Sequence, residues 1–491
     1  MSIFRTKSVE QSMEDTEAPE HQLRRHLSAL DLTVFGIGVI VGTGIFVLTG
    51  QVARDNSGPA VALSFVVAGV VCGLAALCYA EFASTVPAAG SAYTFSFATF
   101  GEFPAWIVGW DLMLELALGA AVVAVGWSGY FSELLATMGV NLPPAFAGEN
   151  ATFNVPAVVV VLALTAVLVA GIKLSARVNL VVVAIKVAVV LLVIIAGLFF
   201  VRAANYVPFI PPAKATATVE GVQAPLIQVL FGVSPVAYGV FGVFVGAAIV
   251  FFAFIGFDVV ATAAEETRRP QRDLPIGIIA SLAVCTILYV AVSLVVVGMQ
   301  RYDQLGRSAP LANAFRAVGQ NWLASIISVG ALAGLTTVVM ILMLGQSRVF
   351  FAMSRDNLLP ARLATVHPRF GTPYVITIII GVVTALMAGF IPLSALAELV
   401  NIGTLFAFIL VSVGVLILRR TRPDLPRSFR TPWVPVVPIL AALASLYLML
   451  NLPVETWLRF LIWMAIGVAV YFAYGVRHSR MRESEPTVTT G

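Results

Sequence analysis

Long apolar runs separated by short polar stretches recur along the whole chain. A helix needs roughly 20 mostly apolar residues to cross a bilayer. Twelve stretches qualify, at approximately 30–53, 59–84, 104–137, 154–172, 176–201, 237–263, 275–298, 322–347, 372–391, 394–418, 433–451 and 457–476. The pattern predicts an all-α polytopic membrane protein of about 12 transmembrane helices. Around these runs it leaves a polar tail at 1–29, a longer outer segment at 202–236 with Pro208, Pro211 and Pro212, a basic loop opening 419–476, and a second tail at 477–491.

Composition sharpens the class. Hydrophobic residues make up 59% of the 491, charged residues only 11%, and the mean hydropathy is +0.97. Twelve spans place both termini on one side, and the basic residues say which: with cytoplasmic termini, 21 of the 29 Lys and Arg fall inside, as expected when positive charge marks the cytoplasmic loops. The net charge of +4 is thus mostly topology and carries no nucleic-acid inference. The expected location is the cell membrane. Cys72, Cys78 and Cys285 lie in apolar runs without metal-ligand spacing. Asn150 opens a glycosylation sequon, a match too short to carry weight. No nucleophile triad, metal cluster or nucleotide-binding loop appears, so neither an enzyme nor an ATP-driven pump is expected, and no cofactor or metal.

The first span reads VFGIGVIVGTGIF from Val34, with Gly36, Gly38, Gly42 and Gly44 inside an apolar run. Glycine costs a helix interior about 1 kcal/mol relative to alanine, so the bunching at Gly42-Thr43-Gly44 predicts a break. Free backbone groups at such a break are tolerated within a membrane only against protein or a cavity. Close helix packing is the alternative, since Gly38 and Gly42 form GxxxG. The sixth span, FFAFIGFDVVATAAEE from Phe251, carries Gly256 mid-run and Asp258 just beyond. Interrupted helices at the start of two successive sets of five are the pattern of inverted repeats around a midplane site; the sets would be 30–201 and 237–418.

Lys186 lies nine residues past Arg177 in NLVVVAIKVAVVLLV, about 13 Å into its span at the helical rise. A central lysine costs about 2.5–3.5 kcal/mol on insertion scales. Its long stem could snorkel to the inner surface; alternatively, burial disfavours its charged form and lets it exchange a proton. Glu115 is the next ionisable residue within a span, either a counter-charge for a cationic substrate or a structural carboxyl. Asp258 and Glu81 lie nearer the expected cytoplasmic ends, where gating or helix anchoring is the expectation.

GIGVIVGTGIF, YAEFASTVPAAGSAY, WDLMLEL from Trp110, SARVN, FFAFIGFD with its AEET continuation, and GQSRVFFAMSRDNLLP from Gly345 together resemble the amino acid, polyamine and organocation transporter superfamily. The cationic amino acid transporter family and its bacterial homologues look nearest. The resemblance covers roughly residues 25 to 480. It implies the LeuT-type fold, five plus five inverted helices plus two carboxy-terminal ones, and secondary active import of amino acids, commonly with protons. Exchange and polyamine transport remain alternatives within the fold; a channel would need a selectivity filter that the sequence lacks.

Within that fold, a substrate carboxylate would meet the amides around Gly42, Thr43 and Gly44 at a half-helix start. The ammonium would meet carbonyls at Ile40, Phe252, Ala253 and Ile255, positions that match the family's pattern. Phe252 could also cover the site, or be an ordinary core aromatic. Lys186 matches the fifth-helix lysine that, in the proton-coupled branch, takes the place of a coupling metal ion. Its ammonium is expected near Val39 or Gly42 and against Gly330 to Thr337. The expected partners are therefore an amino acid, a proton and the bilayer.

Overall fold

The computed structural model describes residues 27–479 except 87–91, 149–150, 172–175, 216–220, 233–235, 262, 368 and 371. Most of the amino-terminal tail, the carboxy-terminal tail from 480 and Asn150 lie outside the described residues.

Each apolar stretch carries a helix. These are α1 (Ala29–Ile40), α2 (Val61–Thr85), α3 (Glu102–Thr137), α4 (Val155–Val169), α5 (Ala176–Leu198), α6 (Gly239–Val250), α7 (Pro270–Met299), α8 (Asn321–Arg355), α9 (Tyr374–Phe390), α10 (Leu393–Thr421), α11 (Val436–Leu450) and α12 (Val454–Val470). Among the described residues, eight helical segments are long and apolar enough to cross a membrane, and four shorter apolar helices accompany them. Two stretches are not single α-helices. After α1 the chain resumes as a π-helical turn at Gly44–Leu48, and after α6 it passes through a tight turn, Phe251–Phe254, into Phe257–Ala261.

The start of α1 is fixed by a capping box. Ser28 Oγ accepts from the Asp31 amide at 3.3 Å, and the Asp31 carboxylate accepts from the Ser28 amide at 2.9 Å, so two end amides are satisfied reciprocally. Leu27 is stitched to the far end of the sixth stretch, its amide donating to Glu266 O at 3.0 Å and its carbonyl accepting from Arg268 N at 2.9 Å.

Packing follows a regular offset. Helix α2 lies against α7, α3 against α8 and α4 against α9, while α1 packs on α7, α5 and α8. The turn at Gly44–Leu48 meets the turn at Phe251–Phe254. Helix α3 is the axis of the molecule: its most apolar window is 89% buried, against 22% for the segment Val454–His478 at the periphery. The apolar surface of α12 is held to α3 by Trp110 and Trp463, stacked at 4.6 Å, each indole donating to the other residue's carbonyl.

Near the expected cytoplasmic end of α2, Glu81 gathers four donors. Arg419 binds it bidentately, Nε and Nη2 both at 2.8 Å, with Thr431 N at 2.8 Å and Arg427 Nε at 3.4 Å. A bidentate guanidinium fixes orientation as well as distance, so Glu81 anchors α2 to the end of α10 and the loop after it.

Candidate functional site

The break in the first stretch begins where α1 makes its last bond, Val41 N to Ile37 O at 2.9 Å. Val41 is extended, with φ −71° and ψ 92°. The next helical segment opens with Phe46 N to Gly42 O at 3.3 Å, so the amides of Gly42, Thr43 and Gly44 stand ahead of its first bond. Such orphan amides are the anion-binding end of a helix. Thr43 Oγ1, fully buried, has no hydrogen-bond partner within the protein.

In the sixth stretch, Ile255 turns extended at φ −61° and ψ 134°, and Gly256 takes φ +120°, a conformation that disfavours side chains. Asp258 Oδ1 accepts from the Gly256 amide at 3.1 Å. On the other side of the break, Asn401 Nδ2 of α10 donates to the carbonyls of Ala248 and Ile249 at 2.8 and 3.0 Å.

The two breaks are pressed together by glycines. A Cβ on Gly44 would overlap Cα and Cβ of Ala253, and one on Gly256 would stand 2.6 Å from Val39 Cγ1. Gly44 is therefore required by the close approach of the Ala253 backbone, and Gly256 by its own φ and by the Val39 side chain. At Gly44 a side chain would collide with the sixth stretch before it affected any substrate at the neighbouring amides.

Tyr289 of α7 bridges the breaks. Its hydroxyl lies 2.5 Å from Ile40 O and 2.8 Å from Ala253 O. A hydroxyl has one hydrogen, so the two carbonyls share a single donor. Neither Tyr289 nor Asn401 was singled out from the sequence: each is an isolated polar residue in an apolar helix, and its partners are far away along the chain.

A narrow cavity lies between α1, α3, α8 and the two helix breaks. Its wall includes Ile40, Gly42, Thr43, Gly44, Phe252 and Ile255 from the breaks, together with Glu115 of α3. Leu116, Gly119 and Val123 of α3, Val39 of α1, and Val338 and Leu342 of α8 complete the wall with apolar surface. Both carboxylate oxygens of Glu115 are buried without a hydrogen-bond partner, and Asp111, one turn earlier on α3, has Oδ2 in the same condition.

Three of the residues expected at the site do not line this cavity. The backbone of Ala253 is turned to Gly44 and Tyr289. Asp258 caps the amide of Gly256. Lys186 sits behind α1, fully buried, its ammonium donating to Gly38 O at 2.5 Å, one residue before the nearer of the two expected positions. Its stem lies against α8, where a Cβ on Gly334 would stand 3.0 Å from Lys186 Cγ and 3.2 Å from Cε. The absent side chain of Gly334 makes room for the lysine, which is not directed to a surface. Among the described residues, no group of three His, Cys, Asp or Glu could hold a metal ion.

Known proteins match this sequence along nearly the whole chain. The amino acid permease family model matches residues 27–472. The branched-chain amino acid permease BcaP of Bacillus subtilis is 49% identical over 98% of this chain and 99% of its own length. The methylthioribose transporter of the same organism is 46% identical over 98% of this chain and all of its own length. The vacuolar cationic amino acid transporter 4 of Arabidopsis thaliana is 31% identical over 99% and 98%. The chain belongs to the amino acid permease family, within the amino acid, polyamine and organocation superfamily, and is a membrane transporter and not an enzyme.

Proposed function

We propose that the protein is a secondary active, proton-coupled importer of L-amino acids, working by alternating access and preferring branched and other aliphatic side chains. The observation that carries this is the composition of the cavity. One end offers free amides at Gly42, Thr43 and Gly44 and backbone of Ile40, Phe252 and Ile255, groups that suit the carboxylate and ammonium common to all amino acids. The rest, Glu115 apart, is hydrocarbon from Val39, Leu116, Val123, Val338 and Leu342, which suits an aliphatic side chain. Two relatives, of Bacillus subtilis and Lactococcus lactis, carry the name branched-chain amino acid permease.

The pairing of α2 with α7, α3 with α8 and α4 with α9, each helix with the one five places later, supports the LeuT-type arrangement. Its inverted repeats span 30–201 and 237–418, with α11 and α12 added in 419–476. The charge distribution supports a cell-membrane protein with the tails 1–29 and 477–491 cytoplasmic and 202–236 outside. A proton is the coupling ion, with Lys186 as its carrier: the ammonium holds the first stretch to α5 and α8, and deprotonation releases Gly38 O.

Leucine uptake into proteoliposomes lacking sodium and internal amino acids, with the other amino acids as competitors, tests this. Isoleucine and valine compete best, and uptake proceeds without internal substrate. Uptake only against internal amino acid indicates exchange. Glu115 favours a second substrate class, since a buried carboxylate without a donor suits a cationic side chain; dominant competition by lysine and arginine selects it.

A further inference from the structure

Glycines at the centre of this protein have two different structural roles. Gly44 and Gly256 are demanded by neighbouring backbone or side chains, as shown above. Gly126 of α3 also belongs here, since a Cβ there would stand 2.9 Å from Thr43 Cγ2. Gly119, two turns earlier on the same helix, is unlike them. A Cβ built on it meets one atom within 4 Å, Leu342 Cδ1, at 3.4 Å, an ordinary van der Waals separation. Packing therefore does not require glycine at 119, and helix propensity opposes it by about 1 kcal/mol relative to alanine.

What a side chain at 119 would occupy is the cavity itself. Glu115, Leu116, Gly119 and Val123 recur at the three- and four-residue spacing of one helix face, and all four line the cavity. Opposite them, Val338 and Leu342 form the facing ridge of α8. Gly119 is the gap in the α3 ridge, directly across from Leu342.

We infer that Gly119 determines side-chain size selectivity: its missing side chain, with Leu342 opposite, makes the compartment that admits the branched end of leucine or isoleucine. The inference rests on the proposed aliphatic amino acid substrate and specifies which residue measures its length. A methyl group at 119 enters space that a Cδ of the substrate needs, while alanine, whose side chain ends at Cβ, is far less affected.

The test is equilibrium binding to the purified full-length protein, read by substrate-induced thermal stabilisation, with leucine, isoleucine, valine and alanine as probes and no ion gradient. In Gly119→Ala, the ratio of leucine to alanine affinity falls by about tenfold or more, as expected when a pocket loses room for a carbon or two; Gly119→Val lowers it further. Leu342→Ala placed on Gly119→Ala restores part of the leucine affinity by reopening the opposite wall. An unchanged leucine-to-alanine ratio in a folded Gly119→Ala protein, or no recovery in the double variant, overturns the inference. Wild-type protein that binds none of the four probes overturns the proposed substrate class instead. Because binding is read without a gradient, failure of proton coupling leaves this test intact.

Discussion

The two helix breaks are built from the same parts and held in place by different ones. Each pairs an extended residue, Val41 or Ile255, with glycine pressed against the other break. The first is held from behind by a cation, the Lys186 ammonium on Gly38 O, seated against the glycine face of α8. The second is held by an amide and a capping carboxylate, Asn401 on the carbonyls of Ala248 and Ile249 and Asp258 on the amide of Gly256. The cation's grip on the first break requires its proton, because a neutral amine is a far weaker donor to a carbonyl. The grip of Asn401 does not depend on protonation, and an acceptor oxygen for Gly256 survives in either state of Asp258. Under the proposed proton coupling, sensing would belong to the first stretch and passive support to the sixth.

The largest expected effect comes from forcing the breaks apart. Gly44→Val places a branched side chain into Ala253, and overpacking of that kind costs about 1–3 kcal/mol or more. The variant should lose thermal stability in detergent and binding of every substrate together. Loss of binding with full stability would mean that Gly44 acts on the substrate and the contact between the breaks is dispensable.

Removing the shared donor has a smaller effect. Tyr289→Phe leaves Ile40 O and Ala253 O without it, and an unsatisfied buried acceptor costs about 1–3 kcal/mol. Substrate affinity should fall about tenfold or more for all amino acids alike, because the hydroxyl ties together the two breaks that form the backbone-recognising end. A loss confined to large side chains would contradict this position for Tyr289.

The smallest effect on the proposed aliphatic substrates is expected at Glu115→Gln, which removes the ionisable carboxyl from the cavity wall and keeps its shape. Leucine affinity should change by less than about threefold, roughly 0.6 kcal/mol. A much greater fall for lysine or arginine in parallel binding measurements would show that the carboxylate meets cationic substrates.

Both breaks were legible in the sequence because glycine in an apolar run is a strong local signal, and Lys186 was legible because a charge there is costly. What held them was not. Tyr289 and Asn401 reach partners 249 and 153 positions away, and no local periodicity encodes such pairs. Gly44 was read as exposing amides, whereas the structure adds a collision with Ala253 that only the meeting of the two stretches creates. Gly119 lacked any sequence signal, since a glycine that leaves room for a ligand and one that admits a neighbouring helix look alike until the facing residue is known.

The most direct measurement is uptake of leucine into sodium-free proteoliposomes across a pH step, acidic outside, comparing wild type with Lys186→Ala, Lys186→Arg and Asp258→Asn. The account predicts that the acidic step drives accumulation in wild type and in Asp258→Asn, though more slowly in the latter. Lys186→Ala has no proton to exchange and Lys186→Arg cannot release one at working pH, so both lose accumulation above the outside concentration. Accumulation by Lys186→Ala equal to wild type, or loss of the pH response in Asp258→Asn alone, would contradict the assignment of coupling to the first break.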